Sequence, residues 1–306
     1  MNGFFTWKKR KLSKLNNTST IINTAVGPIE YCLIGEEKHP IVAVMHGAMG
    51  GYDQALLEKE PLLSHGFRIL AWSRPGYLRT PLSVGITFQE QAIALNELLK
   101  ALNIQKISLI AISAGGVPGL IFAQQYQEKL SSLVMEVALS KKYTTTYWQR
   151  LILSLFYNDL VFWFIDIFAK KLVKPLLKFF INLESTFNKE AKKKILTQAL
   201  QDKAAMKYFF YFLETIMPPS ARKAGLNNDL FQYKQLTPPD VSHIQSPTFV
   251  IFGKYDADAK PENAYYLKKM PHVELCEISD GFHLFWFSNN YPNAEAKKLS
   301  FLKKHL

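Results

Sequence analysis

Four stretches of this chain carry groups that can move protons, form covalent bonds or bind a developing charge. The hexapeptide AISAGG (111–116) sets Ser113 among small residues directly after the apolar run ISLIAI, and Gly119 follows close behind. A serine held at a sharp strand-to-helix bend presents its hydroxyl as a nucleophile, and such a tight bend demands small neighbours. HGAMGG (46–51) ends a second apolar run. Its turn can aim the backbone N–H of Ala48 at the point faced by the N–H of Ala114, and two such donors make an oxyanion hole. FGKYDAD places Asp256 and Asp258 in a loop after a third run, and SDGFHLF places His283 after a fourth. Serine, carboxylate and histidine together are the parts of nucleophilic acyl transfer. Alone, Ser113 fits an ordinary turn at a strand end equally well, so the surrounding elements have to decide.

Those elements alternate. IVAVMHG (41–47), FRILAWS (67–73), ISLIAIS (107–113) and SSLVMEVA (131–138) read as short buried strands. DQALLEKEPLLSHG, FQEQAIALNELLKALNI (88–104) and GVPGLIFAQQYQEKL between them carry apolar residues at helical spacing. This rhythm predicts an α/β fold with a mostly parallel central sheet flanked by helices on both faces. A parallel sheet delivers its C-terminal loops to one edge, where ligands bind, so residues distant in sequence converge there. Residues 141–240 lose the strand pattern and are helical throughout, with proline and glycine breaks at MPPSARKAG and QLTPPD. From 247 the α/β rhythm returns with PTFVIFG, PENAYYLKK, VELCEIS and NAEAKKLSFLKKHL. The organisation read from sequence is a basic tail over 1–19, a core over 20–140 and 241–306, and a helical cap inserted over 141–240.

With 306 residues and 48% hydrophobic composition the chain can bury a large core. Cys32 and Cys276 form no disulfide framework, which fits a reducing, cytoplasmic compartment. No histidine–cysteine cluster has zinc-ligand spacing, and no cofactor or metal is expected. The N-terminus lacks the apolar core of a secretory signal. The apolar stretch 151–169 contains Asn158, Asp159 and Asp166, so it reads as an amphipathic helix rather than a membrane span. The net charge of +12 is concentrated: residues 141–240 hold 16 Lys or Arg against 8 Asp or Glu, and residues 1–14 hold five basic residues and no acid. The plain reading is a solvated face. The sharper one is peripheral attraction to an anionic membrane surface. No nucleic-acid-binding motif accompanies the charge.

HGAMGG, WSRPGYLRTP, AISAGG, SPTFVIFGKYD and GFH, taken in that order, resemble the α/β-hydrolase superfamily over roughly 20–140 and 241–306. The insert falls where that family carries its helical cap. The resemblance implies Ser113 as nucleophile, His283 as general base and Asp256 as the acid that orients the imidazole, with Asp258 as the alternative acid. It implies backbone donors at Ala48 and Ala114. The chain departs from the pattern at Ala111, where glycine is commoner, and at Ser73, where many relatives have aspartate; Ser73 is read as structural, as is His46. Serine at 113 argues against the dehalogenase and epoxide-hydrolase branches. The expected activity is hydrolysis of a carboxylic ester whose acyl group is hydrophobic, given the aromatic and leucine content of the cap. Thioester or C–C bond hydrolysis is the alternative chemistry. A non-catalytic or membrane-peripheral lipid-binding protein on the same fold is the alternative class.

Overall fold

The computed structural model describes residues 2–306. Among them one sheet contains β1 (Thr20–Thr24), β2 (Gly27–Ile34), β3 (Ile41–Met45), β4 (Arg68–Trp72), β5 (Ile107–Ile112), β6 (Leu130–Glu136), β7 (Thr248–Gly253) and β8 (Val273–Ile278). Their spatial order is β1-β2-β4-β3-β5-β6-β7-β8. Pairings from β4 through β8 are parallel, whereas β1–β2 and β2–β4 are antiparallel. The interior parallel strands are mostly apolar because helices cover both of their faces, whereas the edge strand β8 (VELCEI) carries two glutamates and is largely accessible.

Helix α1 (Asn2–Thr18) precedes the sheet, and α2 (Tyr52–Ala55), α3 (Lys59–Ser64), α4 (Phe88–Ala101) and α5 (Gly116–Gln125) alternate with its strands. After β6 come α6 (Tyr147–Phe156), α7 (Asp159–Glu184), α8 (Lys189–Gln201), α9 (Lys203–Glu214) and α10 (Lys223–Gln235). Helices α11 (Pro261–Tyr266) and α12 (Tyr291–Lys304) return with the last strands. One sheet face packs on α4, α5 and α11 through residues such as Leu95, Leu98, Phe122 and Ala264. The other packs on α2, α3 and α12 through Tyr52, Leu62, Leu299 and Leu302. Helices α7 to α9 form a third apolar cluster with Phe282 and Leu284.

Two expectations about organisation change. Residues 1–19 are not a solvated tail. Helix α1 lies on α7: its Trp7 is buried in the insert's apolar cluster and donates its indole N–H to Asp166 at 2.7 Å. Lys8 pairs with Asp159 at 2.6 Å and Lys11 with Asp166 at 3.1 Å. The basic residues thus answer acids of the insert. Helix α10 falls within 141–240 yet packs on the core, where Tyr233 joins the cluster of α4 and α5. Arg74, fully buried after β4, holds α10 by bonds of 2.5 and 3.0 Å to Asp229. Arg222 anchors the same region to Asp53 at 2.8 and 3.0 Å and to the Gly50 carbonyl at 2.7 Å.

Beneath the C-terminal edge of the sheet, Lys298 of α12 is buried among three carboxylates. Its ammonium lies 2.5 Å from Glu58, 2.7 Å from Glu136 and 2.8 Å from Glu295. One cation cannot neutralise three buried anions. Burial and the Glu136 charge push the Glu58 carboxyl up to about 8, against the pull of Lys298. The folded state therefore binds this proton more tightly than the unfolded chain does, so stability falls as pH rises between about 5 and about 8. The thermal midpoint is expected to drop across that window, and Glu58→Gln to flatten the slope. An unchanged slope in the variant would assign it to other groups.

Candidate active site

Ser113 stands at the end of β5 with φ of 49°, the left-handed region that non-glycine residues rarely occupy. The strain fits the sharp strand-to-helix turn predicted for it. Small neighbours are required by contact. A Cβ on Gly115 would lie 2.4 Å from the Met45 carbonyl oxygen, so β3 and the turn touch through bare backbone. A Cβ on Gly119 would lie 2.7 Å from that of Ala111. Alanine is therefore accommodated at 111 because the facing helix position is glycine.

The hydroxyl oxygen of Ser113 is 3.0 Å from Nε2 of His283. Nδ1 of the same ring is 2.9 Å from Oδ2 of Asp256. An ionised carboxylate only accepts, so Nδ1 carries the proton and Nε2 is left to accept from Ser113. Asp256 is fully buried, and its other oxygen accepts the N–H groups of Asp258 and Ala259, both at 2.8 Å. Asp258 does not contact the imidazole in this chain of bonds; it accepts instead from the Tyr143 hydroxyl at 2.9 Å. Burial works to lower the imidazole's pKa. The Asp256 charge and hydrogen bond, helped by Glu184 and Asp258, overcome it and raise His283 to about 10.

The HGAMGG loop lies beside this group. Met45 pairs with Ala111 across β3 and β5, and a Cβ on Gly47 would fall 3.1 Å from that of Ser113. Ala48 and Ala114 thus follow adjacent strand ends that meet at Ser113. Tyr233 of α10 fixes the second of them, donating to the Ala114 carbonyl at 3.1 Å and accepting the Val117 N–H at 3.2 Å. His46 is outside the reacting group. Its Nε2 accepts the Arg74 N–H at 3.0 Å and its Nδ1 donates to the Gly47 carbonyl at 2.7 Å. Burial and the Arg74 charge hold it neutral, well below the usual histidine range. Ser73 accepts the Tyr52 N–H and donates to Glu30, as a structural residue does.

Two residues escaped the sequence reading. Tyr143 begins the insert and meets Asp258. Glu184 ends α7, and its backbone carbonyl accepts the Ala257 N–H at 3.2 Å and the His283 N–H at 3.5 Å. Ligand atoms of Glu184, Asp258 and His283 all lie within 4.8 Å of one another. That spacing suits a cation, but both ring nitrogens of His283 are already engaged by Ser113 and Asp256, so the set offers no free imidazole donor. Burial, reinforced by the Asp258 charge, pushes the Glu184 carboxyl well above the usual carboxylate range. The signal for Glu184 is faint: a lone acid closing the apolar run KFFINLE.

A cavity of about 520 Å³ opens on Ser113 and His283. Ile152, Phe162, Phe180, Phe212 and Trp286 supply much of its wall, with Glu58, Glu136, Glu184 and Asp258 as polar exceptions. Its size is that of an ordinary small-molecule site.

This fold is shared widely. The chain belongs to the alpha/beta hydrolase fold family, whose profile matches residues 40–289. It is 25% identical over 293 residues to YcgS, an uncharacterized hydrolase of Bacillus subtilis (strain 168), covering 90% of this chain and 95% of that one. An alpha/beta hydrolase fold protein from Nakamurella multipartita superposes with a TM-score of 0.85 at 26% identity, over 93% of this chain and 99% of that chain. An esterase (EaEST) from Exiguobacterium antarcticum shares the fold with a TM-score of 0.64 at 17% identity, over 93% of this chain and 99% of its own.

Proposed function

We propose that this protein is a serine hydrolase that cleaves a carboxylic ester with a hydrophobic acyl group, through an acyl-enzyme on Ser113. The observation that carries the reading is the continuous hydrogen-bonded chain from Ser113 through His283 to Asp256, opening on an apolar cavity. As Ser113 attacks the ester carbonyl, Nε2 of His283 takes the hydroxyl proton. Asp256 holds the tautomer and offsets the charge of the imidazolium. The N–H groups of Ala48 and Ala114 are assigned to the oxyanion. His283 then returns the proton to the departing alcohol, and water attacks the acyl-enzyme by the same route. An aliphatic and aromatic wall favours acyl chains over small polar groups.

A fluorophosphonate probe followed by mass spectrometry tests the reading. An adduct on Ser113 that is lost in Ser113→Ala supports it, and turnover of p-nitrophenyl esters should then rise with acyl length. A folded protein that neither labels nor turns over any ester or thioester in the panel returns the chain to the binding-protein class.

The pH profile checks the imidazole's surroundings. His283 must be neutral to accept a proton, and its raised pKa delays that form to higher pH. The rising limb of kcat/KM should therefore lie alkaline of ordinary histidine.

A further inference from the structure

Among the described residues the outward face of α7 is left uncovered, and it changes character along its length. Leu160, Phe164 and Ile167, followed by Lys171, Lys174 and Lys178, recur at helical spacing, and all six are exposed. The three apolar residues are 56%, 55% and 53% exposed. Leu155 and Phe156, at the end of α6, extend the apolar half across a bend of 84° between the two helices. Among the described residues no single helix is long and apolar enough to cross a membrane. A contiguous aromatic and aliphatic patch on a soluble-type fold marks a docking surface.

Charge identifies the occupant. From Ile167 to Leu183 the helix contains four lysines and no acid. The two acids earlier on α7, Asp159 and Asp166, are paired to Lys8 and Lys11 of α1. Among the described residues Lys171, Lys174 and Lys178 have no carboxylate within 4 Å. The face thus joins an apolar half to unpaired cations, while α1 neutralises the acids that would repel an anion. A second copy of this chain would present the same cations to the same cations. An anionic bilayer answers both halves.

We propose that the α6–α7 face docks on the surface of an anionic lipid bilayer, with Leu160, Phe164 and Ile167 entering the acyl boundary and Lys171, Lys174 and Lys178 at the headgroups. This deepens the hydrolase reading and rests on it in one respect. Phe156 and Phe179 are exposed yet also line the cavity of Ser113, so a hydrophobic ester dissolved in the bilayer has a short apolar route to the nucleophile.

The test is flotation of the full chain with vesicles of phosphatidylcholine alone or mixed with phosphatidylserine. Binding should require the anionic lipid and weaken with salt. Each lysine near the surface is worth about a fivefold change in partitioning, so the triple Lys171, Lys174, Lys178→Gln variant should bind about a hundredfold more weakly. A Leu160, Phe164, Ile167→Ser variant should lose binding while its thermal midpoint and its turnover of a water-soluble ester stay unchanged, since these side chains lie outside the cavity wall. Equal binding to both vesicle types, or wild-type binding by the serine variant, overturns the proposal. So does a stable dimer that the serine substitutions dissociate. Ser113→Ala separates the two readings. If it floats like wild type while the fluorophosphonate test fails, docking stands and hydrolysis does not.

Discussion

Ser113→Ala should lower ester turnover by about 10⁴- to 10⁶-fold while leaving the fold intact. The size follows from what one oxygen does. In the proposed mechanism it supplies the covalent bond of the intermediate, and no other hydroxyl is bonded to Nε2 of His283 among the described residues. The variant retains the backbone N–H groups of Ala48 and Ala114, proposed as oxyanion donors, and the cavity, so its residual rate measures binding and electrostatics alone. Folding is insulated because alanine must adopt the same φ of 49° that serine already holds, and the lost hydrogen bond joins two groups that solvent or substrate can reach. His283→Ala should fall almost as far, and the double variant little further, since the two act as one unit. Single-turnover kinetics on a short p-nitrophenyl ester provides the measurement. A loss below about tenfold would remove Ser113 from the chemistry.

The second large effect separates two aspartates only two positions apart. Asp256→Asn should cost about 10⁴-fold in kcat, because an amide can donate to Nδ1 and impose the wrong tautomer on the ring. Asp258→Asn should cost less than about tenfold, since its carboxylate meets Tyr143 rather than the imidazole. Asp256 is also committed through its second oxygen to the N–H groups of Asp258 and Ala259, so the loop is built around its carboxylate. If Asp258→Asn proved the more damaging, the orienting acid would be Asp258, and the loop would have to rearrange when substrate binds. Measuring kcat for both variants at several pH values decides it.

The parts of the molecule legible from sequence are those where local pattern and tertiary role coincide. Strands β3, β5 and β7 are almost wholly apolar because both faces are covered, with Ser108 and Thr248 as buried exceptions, and their ends carry the glycine, serine and aspartate that chemistry needs. The first hairpin is not legible as strands. β1 is TIINT, half polar and mostly exposed at the sheet edge, so it lacks the buried signature of the interior strands. α1 looked like a tail because its partners, Asp159 and Asp166, lie about 150 residues away and leave no trace in the local pattern. Glu184 was invisible for a related reason. One acid at a helix end gains meaning only when α7 brings it beside His283. Between Asp256 and Asp258 spacing left two candidates, and it is the direction of the side chains that distinguishes them.

The Tyr233 hydroxyl grips the Ser113 turn from within α10, while Arg74 and Arg222 rivet the same stretch to the core. For recombination between homologues this sets where the chain should be cut. A chimera meant to import another substrate preference should exchange 141–217 and leave 218–240 with its native sheet. Grafting the whole interval 141–240 would carry off the brace of the elbow along with the pocket wall, and would confuse altered selectivity with a damaged scaffold.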